Sequence, residues 1–372
     1  VSKRIARLRG ASRLAVDATQ GIADVVEAMH GGIARVPGTT ARARTTGLTG
    51  LIYRSVRGVT GLVGDGLDVA LRMLEPLLDD GAPASVSPRR EALQAALNGV
   101  FGDHLAATGN PLAIGMCLRH EGRPLQAPPP GIGPRPLVLL HGLCMNDLQW
   151  RRDEADFAAA LAALGYTPLH LHYNTGLRIC DNGRMLAELL EQLVEVWPGS
   201  LQDLTLLGHS MGGLVARSAI DHAELAGMRW PARLRRLVTL GTPHRGAPLE
   251  RGGRQLEQLL GLTAYARPLA ALAARRSAGI QDLRFGTLRE ADLGRRSEVP
   301  LPVDVECYAV AATTGQNARG LPARLLGDGL VPLDSALGLE LPPARRAVFT
   351  GIGHLQLQTD AKVLEQLIAW LT

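Results

Sequence analysis

The sequence predicts an α/β fold: a mostly parallel central sheet flanked by helices, with a helical N-terminal extension and a helical, lid-like insertion. Three observations carry that expectation. Short apolar runs alternate with stretches of helical period from residue 135 to the end of the chain, the pattern of a parallel sheet covered on both faces. The segment Gly208-His209-Ser210-Met211-Gly212 stands where one such run gives way to a helix-like stretch. A Pro/Gly-rich string, Ala127-Pro-Pro-Pro-Gly-Ile-Gly-Pro134, separates this region from what precedes it.

Residues 1–110 read as a mainly helical, basic and amphipathic extension. Ile5, Leu8, Leu14, Ala18, Ile22 and Val25 recur at helical spacing, and a second apolar stretch runs from Gly47 to Leu78. Gly50, Gly58, Gly61, Gly64 and Gly66 interrupt it. Each glycine costs a helix nearly ~1 kcal/mol relative to alanine, so this stretch needs packing against another helix or a lipid surface. Pro83 to Pro88 breaks the pattern and Pro88–Leu105 resumes it. Residues 111–134 are expected to form a hairpin, over Met116–Leu125, and the connection into the core. Within 135–372 the expected strands are Leu137–Leu140, Pro168–His172, Leu204–Leu207, Leu237–Leu240, Val305–Ala311 and Ala347–Phe349. The expected helices are Ala155–Leu164, Arg184–Val196 and Met211–Ala226. Residues 245–300 form an insertion far longer than an ordinary connection, with apolar segments at Leu256–Leu260 and Pro268–Leu272. It reads as a lid or cap, or else as a packed helical excursion.

The chemistry gathers around the glycine-flanked serine. At a strand-to-helix turn, G-x-S-x-G describes a nucleophile elbow. Gly208 and Gly212 are needed there because side chains would collide with the adjoining strand or helix, and the helix N-terminus favours negative charge near Ser210. Such a serine requires a base, an acid that orients the base, and donors for a developing oxyanion. His354 is the histidine of the last hundred residues and follows a strand in Gly351-Ile352-Gly353-His354. Asp328, in Gly327-Asp328-Gly329-Leu330-Val331-Pro332, lies between the two in the order Ser, Asp, His; Asp304, Asp334 and Asp360 are its rivals. The expected oxyanion donors are the backbone N–H groups of Met211 and of Leu143, which follows a strand ending in His141-Gly142. Cys144 lies beside that loop, but no elbow surrounds it.

Those motifs, L-L-H-G-L (139–143), G-H-S-M-G-G (208–213), L-G-T-P-H-R-G-A-P (240–248), G-D-G-L-V-P (327–332) and G-I-G-H (351–354), resemble the α/β-hydrolase superfamily. Within it they resemble bacterial lipases and GPI inositol-deacylase-like hydrolases. The resemblance implies Ser210 as nucleophile, Asp328 as acid, His354 as base, and hydrolysis of carboxylic, lipidic esters. Peptidases and thioesterases use the same triad. The carboxylates that mark a calcium site in some bacterial lipases are not evident, so no cofactor is expected and calcium dependence stays open.

Composition bounds the partners. Aromatic residues make up 3% of the chain, too few for base stacking on nucleic acid, which is not expected as a partner. The four cysteines show no metal or disulfide spacing, and His170 and His172 lack a third ligand; no metal residues are assigned. Residues 1–57 hold ten basic and three acidic residues, net +7 against +5 for the whole chain. That asymmetry suits an acidic surface, so residues 1–78 are a candidate peripheral membrane contact, with a helical subdomain or a dimerisation element as alternatives. A lipid- or granule-surface binding protein with an idle hydrolase domain is the other functional class. With neither a leader pattern nor a spanning segment, the expected location is cytoplasmic or at a membrane surface. The oligomeric state is left open.

Overall fold

The structure, a computed structural model, describes residues 5–6, 8–17, 88–128, 132–152, 155–197, 201–247, 277–317 and 327–372. Most of the amphipathic stretch through residue 78, and the apolar segments Leu256–Leu260 and Pro268–Leu272 of the insertion, lie outside the described residues. The chain divides into two compact units, residues 1–86 with 105–113 and residues 87–104 with 114–372. In the first, residues 5–6 and 8–17 are helical, Ile5 is fully buried, and Asn110 Nδ2 donates to the Gly10 carbonyl at 3.0 Å. Among the described residues no helix is long and apolar enough to cross a membrane.

Helix α1 (Pro88–Ala107) precedes an eight-stranded sheet. Its strands are β1 (Cys117–His120), β2 (Arg123–Pro124), β3 (Pro136–Leu140), β4 (Thr167–His172), β5 (Leu204–His209), β6 (Leu234–Leu240), β7 (Glu306–Thr313) and β8 (Arg346–Thr350). Their order is β8-β7-β6-β5-β3-β4-β1-β2. From β4 through β8 every neighbouring pair is parallel; β1 and β2 form a hairpin that joins β4 antiparallel. Helices α2 (Phe157–Ala162), α3 (Ile179–Val196), α4 (Met211–Ala226), α5 (Ala278–Phe285), the short α6 (Leu333–Ala336) and α7 (Ala361–Leu371) follow the strands.

The apolar runs inside the sheet become strands because both of their faces are covered. Leu137 and Leu139 point into one core with Trp150, Phe157, Leu161 and Leu367. Val138 and Leu140 point into the other with Leu186, Leu190, Val215 and Ala219. A strand buried on two sides reads as an unbroken apolar run, which is how β3 to β7 were legible; β8, at the sheet edge, is partly exposed along its length, with Val348 at 40%. The limits differ where the cause is tertiary. Helix α3 begins at Ile179, five residues before its expected start, because the Asp282 carboxylate accepts from Ile179 N–H at 3.0 Å. A cap supplied from so far along the chain leaves no local signature. Helix α2 is shorter than expected: the Asp156 side chain caps it at Ala159 N–H and Gly165, at φ +84°, lies just beyond its end.

One feature of the topology positions the site. From β3 the chain moves to β4 on one side, then returns through α3 to β5 on the other side of β3. The carboxyl ends of β3 and β5 therefore flank a switch point, where the connections depart in opposite directions and leave a crevice. Leu140 and His209 are the last residues of those two strands.

Candidate active site

Ser210 follows β5 directly and holds φ 53° and ψ −124°, a left-handed conformation that a residue bearing a Cβ rarely adopts. Its N–H donates to the Leu240 carbonyl at the end of β6 at 2.8 Å. The flanking glycines permit the turn by close approach. A methyl group on Gly208 would come within 2.5 Å of Gly213 N, and one on Gly212 within 2.4 Å of the Leu140 carbonyl oxygen. Strand β5, helix α4 and the end of β3 are thus packed backbone to backbone around the serine.

Asp328 and His354 meet in the adjoining loops. His354 Nδ1 lies 2.7 Å from Asp328 Oδ2, with both side chains buried. The other carboxylate oxygen accepts from Leu330 N–H at 3.0 Å and Val331 N–H at 2.8 Å. His354 N–H returns a bond to the Asp328 carbonyl at 3.0 Å, so the two residues grip each other through backbone and side chain. Gly241, at φ +55°, follows Leu240; a methyl group there would stand 3.0 Å from Asp328 Oδ2 and 3.3 Å from His354 Cε1. The end of β6 therefore carries the serine's backbone bond at Leu240 and abuts the Asp–His pair at Gly241. Among the described residues no hydrogen bond joins Ser210 Oγ to His354 Nε2; such bonds commonly tighten only with substrate in place. The rival carboxylates are placed elsewhere. Asp360 caps α7, Asp334 lies in α6, and Asp304 precedes β7 at the opposite edge of the sheet.

The loop after β3 runs against the serine. A methyl group on Gly142 would lie 3.0 Å from Ser210 Cβ. Met211 opens α4, where the first N–H groups have no intrahelical acceptor, and Leu143 lies in the facing loop after β3. Several contacts that the sequence did not announce hold this loop. Tyr173 O–H donates to the His141 carbonyl at 2.7 Å while its ring stacks on His141 at 4.5 Å. Cys144 takes φ 59° and its N–H donates to Thr175 Oγ1 at 3.2 Å. Burial pushes the Cys144 thiol up to about 12, so no thiolate is available beside the serine. Behind the loop, Arg119 bridges Asp147 at 2.9 Å and Glu91 at 3.0 Å, linking β1, α1 and the turn that follows the loop. Burial alone would raise the Asp147 carboxyl, but His172 and Arg119 outweigh it and hold it well below the usual range. Among the described residues no group of three or more His, Cys, Asp or Glu is placed to hold a metal ion.

The described part of the insertion is fastened down. Ser218 Oγ donates to the Leu288 carbonyl at 2.6 Å, Arg217 Nη2 to the Val299 carbonyl at 2.6 Å, and Arg289 Nε to Asp221 at 2.7 Å. All three fixing residues lie on α4, the helix that Ser210 precedes. Asp282 adds Arg178 Nη1 at 2.9 Å to its cap on α3. Residues 277–300 thus form a fixed shoulder on helices α3 and α4.

Three buried histidines near the crevice make the fold sensitive to acid. Burial, followed by the charge of His172, lowers His141 to about 4. Burial holds His209 and His244 well below the ordinary value, with His354 and Arg217 respectively adding to the effect. In the unfolded chain each titrates near ~6.5. Above that pH neither state takes up a proton; below it the unfolded chain does and the native one does not, so stability is lost as pH falls from about 6.5 toward the folded values. His141 alone accounts for about 3 kcal/mol across that window. Urea unfolding between pH 7.5 and 5 should show stability falling with uptake of more than one proton; a flat profile would contradict the neutral, buried assignment.

Residues 132–280 match the family described as the PGAP1-like alpha/beta domain. A search of curated protein sequences gives no match. Among solved structures, the chain is similar to the lipase BlEst2 of Bacillus licheniformis in mature form (22% identity, 69% of this chain and 98% of that one, TM-score 0.48). It is also similar to the RedJ thioesterase of the Streptomyces coelicolor prodiginine pathway (17% identity, 68% and 97% coverage, TM-score 0.41). A third similar structure is the metagenomic carboxyl esterase MGS0156 (17% identity, 80% and 98% coverage, TM-score 0.42). The strand order and the matched domain give the α/β-hydrolase fold that the motifs led us to expect.

Proposed function

We propose that this protein is a serine hydrolase of carboxylic esters that works through an acyl-serine intermediate. The observation that carries the reading is the buried Asp328–His354 pair, 2.7 Å apart, abutting the strand end to which the positive-φ serine is bonded. His354 Nε2 takes the proton as Ser210 Oγ attacks the ester carbonyl, and the carbonyl oxygen gains its negative charge toward the N–H groups of Leu143 and Met211. Asp328 holds the imidazole as the Nδ1–H tautomer and offsets the charge of the imidazolium without taking its proton. The tetrahedral adduct collapses, the C–O bond to the alcohol breaks, and His354 gives the proton to that alcohol. Water then repeats the cycle: His354 takes its proton, hydroxide adds to the acyl carbon, and Ser210 leaves with the proton returned. The loop that carries Leu143 is already held by Tyr173 and Thr175, and Met211 by the first turn of α4, which limits reorganisation at the moment of attack.

A lipidic substrate is part of the proposal. It is supported by the motif resemblance to lipases and inositol deacylases and by the basic, amphipathic residues 1–78, which suit an anionic surface. The test is hydrolysis of p-nitrophenyl esters from acetate to palmitate, with and without calcium, by the native protein and by Ser210→Ala. Turnover should fall at least about 10⁴-fold in the variant with its melting temperature unchanged. Equal turnover in both would remove Ser210 from the chemistry, and a preference confined to acetate would remove the lipidic substrate.

A further inference from the structure

His209 separates Gly208 from Ser210 and is completely buried. Its ring lies against that of His354, centroids 4.7 Å apart at 46°. His209 Nε2 is 2.9 Å from the His354 carbonyl oxygen. A carbonyl oxygen only accepts, so Nε2 carries a hydrogen. Burial keeps the ring neutral, which leaves Nδ1 as a bare lone pair. That Nδ1 is buried on the side facing Gly142, with no hydrogen-bond partner among the described residues.

Burying a polar ring is costly, and an aliphatic side chain would fill the same space without that cost. The His209 Nε2–H bond supplies what packing alone does not. Its partner shows what. His354 stands at the end of a glycine-flanked loop, and its N–H and Nδ1 are both committed to Asp328, which is itself on a loop. The His354 carbonyl is the third attachment, and it is made to β5, the strand that presents Ser210. Other routes from serine to base pass through Leu240, Gly241 and Val310 or through the loops after β7. The His209 bond spans the gap in one step.

We propose that His209 is a positioning residue that registers the base against the nucleophile through its Nε2–H bond to the His354 carbonyl. The kinetic part of this inference rests on the ester-hydrolase reading above; the geometric part does not. Glutamine places an amide nitrogen where histidine places Nε2, whereas methionine fills the volume without a donor. Misplacement of a reacting group by about 1 Å costs on the order of 10²-fold in rate. His209→Met should accordingly lower kcat about 10- to 100-fold with KM within about twofold of native, and His209→Gln should restore most of the loss. Melting temperatures accompany both variants. Should H209M not fold, H209N, whose amide reaches only the Nδ1 position, takes its place.

A second readout needs no substrate. The downfield proton resonance of His354 Nδ1–H, identified by its absence in His354→Ala, should broaden in H209M and stay sharp in H209Q. Native turnover with H209M at the native kcat and a sharp resonance overturns the proposal. So does H209Q falling as far as H209M, which would assign the residue to packing. If the native protein hydrolyses no ester, the ester-hydrolase reading fails, and the resonance comparison still decides whether His209 positions His354.

Discussion

Asp328→Asn is expected to lower kcat by about 10⁴-fold while the protein stays folded. The size follows from the carboxylate's three commitments. Oδ1 accepts from the N–H groups of Leu330 and Val331, and Oδ2 receives His354 Nδ1. Asparagine has one acceptor oxygen and one NH₂ group. Two backbone donors compete for the oxygen, so the NH₂ is turned toward His354. There it meets Nδ1, which must give up its hydrogen and accept instead. A neutral imidazole with a bare Nδ1 carries its hydrogen on Nε2, the atom that has to take the proton from Ser210. The geometry survives and the tautomer is wrong. Steady-state kinetics on a short-chain ester, with circular dichroism as the folding control, reads the effect. A loss below about tenfold would mean that Asp328 is not the group that orients the base.

Gly212→Ala carries the second large effect, and this one acts through the backbone. The added methyl would stand 2.4 Å from the Leu140 carbonyl oxygen and 2.8 Å from that of His141. Neither atom belongs to a flexible side chain. Leu140 ends β3, a central strand paired on both sides, and His141 is held by Tyr173. Relief must come from α4 moving away from β3, which separates Met211 N–H from Leu143 N–H and withdraws Ser210 from the Asp–His pair. Overpacking of this kind typically costs about 1–3 kcal/mol, and the displacement should lower activity on the order of 10²-fold. Thermal unfolding and ester turnover together check it. A variant with native melting temperature and native kcat would show that the elbow is less tightly packed than these distances require.

The elements that were legible in the sequence share a physical cause. Strands β3 to β7 lie inside the sheet and are covered on two faces, so their composition announces them. The elbow is legible because strain and crowding leave only glycine at Gly208 and Gly212. His354 and Asp328 were candidates because a loop leaving a strand's carboxyl end offers few; chain order and the glycine-flanked loop favoured Asp328 over Asp334, and the fold brings the Asp328 carboxylate to the imidazole. What escaped was made by residues distant in sequence. Asp282 begins α3 from across the chain, Arg119 joins Glu91 to Asp147 behind the loop after β3, and Tyr173 fixes a carbonyl on the neighbouring strand's loop. Cys144 at positive φ had no sequence signal at all. His209 was visible as the variable residue of a motif, yet its partner is the backbone of the base, which no side-chain pattern encodes.

In the proposed mechanism, folding makes Ser210 a nucleophile. That role is tested most directly by exposing the native protein to a fluorophosphonate and mapping the modified peptide by mass spectrometry. One phosphonyl group per chain is expected, on Ser210, lost when the protein is first unfolded and lost in Asp328→Asn. A folded protein that hydrolyses esters while Ser210 stays unmodified would contradict it.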